Sequence, residues 1–197
     1  GELRFKPDCD HLQYSAQDFG QYEGRGDQGL QTGSWDNTRL DIVSDITDIP
    51  VDDKSFDAIL CTEVLEHIPD AVSALREFTR ILKPGGILLL TAPFASLTHF
   101  APYHFGGYNK YWYEYHLPRL GFDIEVLDHN GSWFYFVAQE LRRSRFMGEM
   151  YSSKVLGLIT RIAVIPIIIL LTILSRFDRG SHEALCFNYM VRAVKKT

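Results

Sequence analysis

Acidic residues at the ends of two predicted strands are the first groups in this sequence that are placed to bind a ligand. Asp18 closes one run of alternating apolar and polar residues, and Asp45 closes a second strand-like run. In an open parallel α/β sheet, ligands bind at the carboxyl ends of the strands, where a carboxylate accepts ribose hydroxyls. Asp18 lies 17 positions after Gly1 (18 − 1), close to the spacing of a ribose-binding acid after a nucleotide-binding glycine loop. The alternative is a helix cap or a surface acid at a strand end.

Histidines and aromatic residues crowd the segment 93–115. His99 and His104 lie in it, and His67 comes just before a predicted helix. A histidine has a pKa near neutrality and is therefore suited to taking a proton from a substrate. The alternatives are packing at a helix start for His67 and loop hydrogen bonds for His99 and His104. The aromatic segment itself indicates either a substrate pocket or aromatic packing under a long loop.

Alternating strands and helices position these groups. The pattern predicts a central βαβ unit with a buried strand over 56–61, a helix that opens at Pro69-Asp70, and a buried strand over 87–92. Lys83-Pro84-Gly85-Gly86 ends the helix, and such tight joints are typical of a parallel sheet. The remaining predictions are strands over 11–18, 40–45, 122–127 and 185–194, a loop over 20–33, and a helical segment that ends at Leu120-Gly121.

The segment 155–174 is nearly all aliphatic and is about as long as a bilayer crossing requires. Arg161 and Pro166 lie inside it and a strand follows it, which argues against a span. Basic residues flank it on both sides and give no asymmetry of orientation. Three alternatives therefore stay open: a buried or interface helix pair in a soluble fold, a helix resting on a membrane surface, and a true span.

Composition favours one domain that acts on a small or uncharged substrate. The 197 residues are 46% hydrophobic, which suffices for one well-buried core. The net charge of −5 argues against nucleic acid as a partner, because neutralising phosphates needs a basic surface. Cys9, Cys61 and Cys186 form no C-x-x-C pair, so we predict neither a disulfide framework nor a metal site. With no secretory signal visible, the reducing cytosol is the expected compartment.

Blocks of sequence between residues 41 and 93 carry a family resemblance. They read SDITDIPV (44–51), SFDAIL (55–60), EVLEHIPD (63–70), LRE (75–77) and RILKPGG (80–86). In this order and spacing they resemble the class I S-adenosylmethionine-dependent methyltransferases, most of all the branch often labelled type 11. The resemblance implies an α/β fold with a Rossmann-like, doubly wound, mostly parallel sheet. We expect a single domain, 1–197, that lacks its first strand and has a hydrophobic helical insertion, 132–182, before its last strand.

The resemblance also implies S-adenosyl-L-methionine as cofactor and assigns residues to its adenosine. Asp18 with Phe19 would bind the ribose and flank the adenine. Asp45 would accept a hydrogen bond from the adenine amino group, and Ile46 would pack on the ring.

The methionine end of the cofactor would be lined by Cys61, Thr62 and Glu63. The sequence departs from the family pattern at the glycine-rich turn that follows the first strand. Gly1-Glu2 resembles the tail of that motif, without the preceding strand. Gly1 is therefore the predicted cofactor-binding glycine of an N-terminally truncated chain.

Methyl transfer from a sulfonium is an in-line displacement with a neutral leaving group, so the main task of the protein is alignment. A hydroxyl acceptor also needs a base, for which His67, His99 and His104 are the candidates. The aromatic segment and the aliphatic segment favour a small or lipid-like acceptor such as a quinone, a lipid or a lipid-linked glycan. The expected location is cytoplasmic, with contact to a membrane surface through 155–174 under the second alternative.

Two other functions fit part of the sequence pattern. A nicotinamide-dependent Rossmann enzyme shares strand-end acids, but the sequence contains no G-x-G-x-x-G. A non-catalytic methyltransferase-like module, for binding or membrane association, is favoured by the incomplete glycine motif. Asp18 and Asp45 count against that module, because a pocket without cofactor needs neither acid.

Overall fold

The computed structural model describes residues 7–21 and 39–197. Within those ranges the chain forms six strands, five α-helices and short 3-10 turns. The strands are β1 Gln17–Asp18, β2 Ile42–Val43, β3 Phe56–Thr62, β4 Leu82–Pro93, β5 Phe122–Asn130 and β6 Asn188–Lys195. The helices are α1 Ala71–Ile81, α2 Lys110–Arg119, α3 Trp133–Tyr151, α4 Lys154–Ala163 and α5 Ile165–Leu174, and a 3-10 turn, Leu65–His67, follows β3.

The strands are arranged in two sheets. β1 and β2 form a parallel pair, and β3 pairs in parallel with β4 in a sheet of order β3-β4-β6-β5. Phe187 N donates to Asn130 O and Lys196 N donates to Gly121 O, so β6 runs antiparallel to β5. The predicted Rossmann-like α/β fold with mostly parallel strands is confirmed.

The two N-terminal strands are shorter than the predicted 11–18 and 40–45. Leu12 N donates to Cys9 O at 2.9 Å in a turn, and the Leu12 side chain is 57% exposed. Its alternation with polar neighbours therefore marks no buried strand face. Ladder pairing starts only near Ala16, which is buried and donates its N–H to Asp41 Oδ2 at 2.8 Å.

The predicted βαβ unit is present as β3, α1 and β4. Asp70 caps α1 by accepting the N–H of Ser73 at 3.0 Å, and the buried face of the helix includes Leu75 and Phe78. At the other end, Lys195 Nζ donates to the carbonyls of Thr79 and Leu82 at 2.6 and 2.8 Å. An ammonium group on the last carbonyls stabilises the end of a helix. β6 is thereby fastened to the end of α1.

The turn after β2 is fastened to α1 by a buried acid. Glu77 is 7% exposed and accepts the N–H of Ile49 at 2.7 Å. Arg80 donates to both carboxylate oxygens of Glu77 and to the carbonyls of Ile49 and Val51. The hydrogen bonds from Arg80 are the largest cause that lowers the pKa of Glu77. The ionised carboxylate therefore holds the chain in place a few residues beyond Asp45.

The described residues divide into two compact units. One runs up to Leu127 and includes Met190–Thr197, and the other is Asp128–Tyr189. The second unit contains α3, α4 and α5. Its range includes the segment 132–182, whose interpretation as an insertion within a single domain stays a prediction.

The aliphatic segment 155–174 forms two helices whose side chains are mostly exposed. α4 ends at Ala163 and α5 begins at Ile165, with Pro166 in the first turn of α5. Only Gly157 and Leu171 within the two helices are buried. Taken together, α4, α5 and the 3-10 turn that follows them, Lys154–Phe177, form the one helical stretch among the described residues that is long and apolar enough to span a membrane, at 24 residues and by length and composition alone. This exposure counts against burial of the pair among the described residues, while an interface helix pair, a helix on a membrane surface and a true span stay predictions.

Candidate functional site

The carboxyl ends of β3 and β4 lie side by side and form the base of the site. Thr62 pairs with Thr91, and Glu63 N donates to Thr91 O at 2.8 Å. β3 then leads into the turn Leu65–His67, and β4 leads into the loop 94–109. Because ligands bind at the carboxyl ends of parallel strands, both exits are placed where chemistry is expected.

The loop 94–109 is held against the turn that follows β3. Phe105 N donates to Glu66 O at 2.7 Å, and the hydroxyl of Tyr108 donates to Leu65 O at 2.9 Å. Tyr108 N also donates to Pro93 O at 2.8 Å, which returns the loop to the end of β4. These hydrogen bonds bring the histidines of the loop to the histidine of the turn.

The three candidate bases form one cluster, as a shared role in taking a substrate proton requires: His67, His99 and His104. The ring centroids are 4.7 Å apart for His67 and His99, 4.6 Å for His99 and His104, and 5.9 Å for His67 and His104. One ring nitrogen from each histidine lies within 4.8 Å of the other two. Sequence spacing alone, with more than 30 residues between His67 and His99, gave no sign of this convergence.

Backbone carbonyls orient two of the three rings. His67 Nδ1 lies 2.5 Å from Tyr103 O, and His99 Nδ1 lies 2.9 Å from Leu97 O. A carbonyl oxygen only accepts, so each Nδ1 carries the proton and each Nε2 keeps its lone pair. Both histidines therefore present an electron pair to the interior of the cluster.

Glu66 is a site residue that the sequence analysis did not nominate. It is 1% exposed, and its Oε1 lies 3.6 Å from His67 Nε2 and 3.9 Å from His99 Nε2. Neither carboxylate oxygen has a hydrogen-bond partner among the described residues. Burial raises the pKa of Glu66 to about 8. The one available signal was an acid next to Val64 and Leu65 in the block EVLEHIPD. Most glutamates are exposed, so this block alone does not separate a buried glutamate from an exposed one.

Burial also lowers the pKa of two of the three histidines. It lowers the pKa of His67 to about 4, and it lowers the pKa of His104. Their proposed role as bases assumes a pKa near neutrality. For His67 this assumption is wrong, because its ring is desolvated. The imidazole of His67 is neutral at physiological pH and holds its Nε2 lone pair available.

The predicted adenosine residues lie at the ends of β1 and β2. Asp18 is opposite Val43 in the parallel pair, and its Oδ1 accepts the N–H of Gly20 at 2.9 Å. The half-buried Phe19 lies edge to face with Tyr103, with ring centroids 5.3 Å apart. This contact places β1 next to the loop 94–109.

Asp45 is exposed just beyond β2 and next to the half-buried Ile46. Its Oδ1 accepts from the N–H of Thr47 at 2.8 Å and from the Thr47 hydroxyl at 2.7 Å. These hydrogen bonds lower the pKa of Asp45. Because β1 and β2 are parallel, Asp18 and Asp45 are at the same edge of the pair.

The residues assigned to the methionine end differ from one another in environment. Cys61 is buried, which raises the pKa of its thiol to about 12 and keeps it protonated. Thr62 is half-buried, and Glu63 is exposed with a φ of 50° as the chain turns out of β3. Gly1, the predicted cofactor-binding glycine, lies outside the described residues.

Comparison with known proteins gives a family and relatives. Residues 28–90 match the family described as Methyltransferase domain. The chain is 54% identical over 37 residues to a ubiquinone biosynthesis O-methyltransferase of Xanthomonas oryzae pv. oryzae, covering 19% of this chain and 16% of that protein. It is 41% identical over 59 residues to a demethylmenaquinone methyltransferase of Staphylococcus epidermidis, covering 30% of this chain and 24% of that protein. The matched part is thus under a quarter of the length of either relative.

Solved structures are similar at low identity. Phosphoethanolamine N-methyltransferase 2 of Haemonchus contortus, in complex with S-adenosyl-L-methionine, is 21% identical with a TM-score of 0.44, covering 79% of this chain and 36% of that chain. The YcgJ protein of Bacillus subtilis is 14% identical with a TM-score of 0.45, covering 79% of this chain and 70% of that chain.

Proposed function

We propose that this chain binds S-adenosyl-L-methionine and transfers the methyl group to a small or lipid-like acceptor. The ground is that residues 28–90 match the methyltransferase-domain family. The observation that carries the proposal is this match, which includes Asp45 and the end of β3. The cluster at the ends of β3 and β4 supports it, since it provides groups for an acceptor next to the residues assigned to the cofactor.

The residues at the ends of β1, β2 and β3 fit the chemistry of this cofactor. Asp18 places a carboxylate at the end of β1, beside β2, and ribose hydroxyls need such an acceptor. Asp45 is exposed and ionised, which suits an adenine amino group. Glu63 at the end of β3 adds a carboxylate that favours a sulfonium cation by charge.

The protein contributes alignment and proton acceptance. The bound cofactor supplies an electrophilic methyl group on sulfur. Asp18, Asp45 and the end of β3 fix that sulfur relative to the acceptor, which is the larger part of catalysis for an in-line displacement. With a hydroxyl acceptor, His99 or His104 takes the proton as the bond to carbon forms.

The acceptor we propose is a lipid-like molecule with a ring, such as a quinone precursor. The two curated relatives are named for ubiquinone biosynthesis and for demethylmenaquinone. The loop 94–109 supports the same class, because its Phe100 ring lies 4.8 Å from the ring of His67 and 5.4 Å from that of His99, and its Phe105 is an exposed aromatic residue. Aromatic faces pack well against a planar acceptor.

A membrane surface is the proposed place of encounter, with the chain cytoplasmic and peripheral. Most large apolar residues of α4 and α5 are exposed, among them Ile162 and Ile169. In the same unit, Arg142, Arg145 and Arg161 lie around a cleft that also contains apolar side chains of α5. An apolar helix with arginines beside it fits an interface that holds acyl chains and anionic headgroups.

The experiment that tests the function is calorimetric titration of this chain with S-adenosyl-L-methionine and with its demethylated product. We expect binding that is lost in Asp18→Ala and in Asp45→Ala, since each removes one contact to adenosine. The matched control is Asp57→Ala, an exposed acid at the start of β3 that pairs with Lys83. Absence of binding by the unmutated chain would overturn the proposal in favour of a non-catalytic module. An equal loss of cofactor binding in Asp18→Ala, Asp45→Ala and Asp57→Ala would also overturn the proposal.

A further inference from the structure

The cluster of three histidines, two of which lie near Glu66, has the composition of a metal site. Three imidazole nitrogens lie within 4.8 Å of one another, and Glu66 Oε1 lies within 3.9 Å of two of them. We propose that His67, His99 and His104, with Glu66 as the fourth ligand, bind a divalent transition metal ion, and that Zn²⁺ fits best. This departs from our prediction of no metal site, which considered the cysteines.

The hydrogen bonds of the cluster are those of ligating histidines. A metal-bound histidine usually donates its other ring nitrogen to a carbonyl or carboxylate, which fixes the ring and its tautomer. His67 and His99 each do this with Nδ1, to Tyr103 O and Leu97 O. Their Nε2 atoms are therefore oriented towards Glu66 Oε1, at 3.6 and 3.9 Å. Simple ring packing would not require both rings to have the same tautomer and to face the same carboxylate.

Glu66 is the independent observation that indicates a cation. Its carboxylate is 99% buried and receives no hydrogen bond from any other described residue. Burying a carboxylate without a partner costs several kcal/mol, so buried acids are paired or bind metals. His104 Nδ1 is likewise buried without a partner among the residues the structure describes. An ion between these groups would satisfy both.

The geometry is compatible with a tetrahedral ion after a small closure. Zinc–nitrogen bonds of about 2.0–2.1 Å place tetrahedral ligands about 3.4 Å apart. From a separation of at most 4.8 Å, each nitrogen has to move inward by about 1 Å, which side-chain torsions supply. Imidazole and carboxylate ligands suit Zn²⁺ and Co²⁺, whereas Mg²⁺ requires oxygen ligands in an octahedron.

The position of the site gives the ion a role in methyl transfer. The cluster lies at the carboxyl ends of β3 and β4, next to the residues assigned to the cofactor. A tetrahedral ion with all four ligands in place has no open position, so an acceptor hydroxyl would have to replace Glu66 on the ion. The ion would then lower the pKa of that hydroxyl, the freed Glu66 carboxylate would take its proton, and the histidines would act as ligands rather than as bases. Metal binding stands on the geometry of the cluster alone, whereas this role rests on the proposed function.

Metal binding is tested on the full chain without cofactor, so its failure is distinct from failure of the cofactor titration. Protein stripped with a chelator is dialysed against Zn²⁺, Co²⁺ or Mg²⁺ and the retained metal is measured by mass spectrometry. We expect one Zn²⁺ or Co²⁺ ion per chain, visible absorption bands from the Co²⁺ form, and no retained Mg²⁺. Failure to retain Zn²⁺ and Co²⁺ would overturn the proposal, as would retention of Mg²⁺ to the same extent.

Variants assign the ligands. His99→Ala, His104→Ala and Glu66→Gln should each weaken Zn²⁺ binding by about 10-fold or more, because even outer-shell losses cost 10–100-fold. The matched control is His116→Ala in α2, which removes a histidine outside the cluster and should leave binding unchanged. Glu66→Gln keeps the shape of the side chain, and circular dichroism verifies that each variant is folded. Unchanged binding in the folded Glu66→Gln and His99→Ala variants, or equal loss in His116→Ala, would contradict the assignment.

Discussion

At the scale of single residues, the two acids of α1 and of the turn before it show how differently burial can act. Glu77 is buried with a full set of donors, so its pKa is lowered and it stays ionised. Glu66 is buried without donors among the described residues, so its pKa is raised to about 8. The sequence shows both simply as a glutamate beside apolar residues. What separates them is the position of Arg80 and of the turn after β2, which only the fold determines.

Replacement of Glu77 tests the first case. Its pKa is lower in the folded chain, so the ionised form stabilises the fold at a pH above the unfolded pKa, and this contribution is lost as the pH falls through the folded pKa. Glu77→Ala leaves the buried N–H of Ile49 without an acceptor and should lower the free energy of unfolding at pH 7 by about 1–3 kcal/mol. Denaturant titration at several pH values measures both the loss and its decrease in acid.

The control for this prediction is Glu114→Ala, which removes an exposed acid on α2. Its free energy of unfolding should stay within about 0.5 kcal/mol of the unmutated chain. A Glu77→Ala variant that is no less stable than the control, or whose loss grows in acid, would show that the network around Arg80 does not stabilise the fold.

At the scale of elements, the βαβ unit was predictable and the loop after it was not. The strand over 56–61, the helix after Asp70 and the strand over 87–92 follow from apolar periodicity, an acidic cap and the Lys-Pro-Gly-Gly stop, all of which act locally. The loop 94–109 is placed by hydrogen bonds to Glu66 O, Leu65 O and Pro93 O. These partners lie far away in sequence, so local propensity contains no information about them. The same holds for Glu66, whose role depends on that loop.

At Gly107 the loop lies close against the end of β4. A Cβ at this position would lie 2.3 Å from the carbonyl oxygen of Phe94, which is backbone and cannot move aside cheaply. Gly107→Ala should therefore shift the loop, lower stability by about 1–3 kcal/mol, and change the ring signals of His99 and His104 in NMR spectra. Gly106→Ala is the matched control, because no atom lies within 4 Å of a Cβ there. Identical histidine signals in the two variants would show that this close contact does not place the cluster.

In the second unit, a glycine pair sets the distance between α3 and α4. A Cβ on Gly157 would lie 2.7 Å from the carbonyl oxygen of Arg145, and a Cβ on Gly148 would lie 2.6 Å from the Cα of Gly157. Gly157→Val should push the helices apart and lower the thermal midpoint of helix unfolding, at a cost of about 1–3 kcal/mol. Ala163→Val, at an exposed position at the end of α4, should have little effect. The prediction would be wrong if both variants melt together with the unmutated chain.

At the scale of the whole molecule, net charge and local charge point in different directions. The chain carries −5 in total, which excluded nucleic acid at the level of composition. Arg142, Arg145 and Arg161 are nevertheless gathered in one cleft of the second unit, which no sum over the sequence reveals. The exposure of α4 and α5 was equally hidden, because an aliphatic run predicts burial in a core as readily as contact with lipid.

Membrane binding is the prediction that follows from this exposure and this local charge. The intact chain should bind vesicles that contain anionic phospholipid, because α4 and α5 offer exposed apolar side chains and the arginines offer charge. Ile162→Glu with Ile169→Glu should abolish binding to every vesicle, since both changes put a charge where apolar contact is required. Leu12→Glu, which changes an exposed apolar residue of the first unit, is the control and should bind normally.

Changing the lipid composition and the salt concentration distinguishes the contribution of charge to binding from that of apolar contact. Arg142→Ala with Arg161→Ala should weaken binding to anionic vesicles by roughly 5-fold per arginine at low salt, from about 1 kcal/mol for each basic residue near the surface. The same variant should bind neutral vesicles as the unmutated chain does, because the apolar face is intact. Flotation of the chain with vesicles of each composition measures these differences. If the intact chain floats with neither composition, α4 and α5 meet a protein rather than a lipid surface, and the encounter with a membrane-borne acceptor fails independently of cofactor binding.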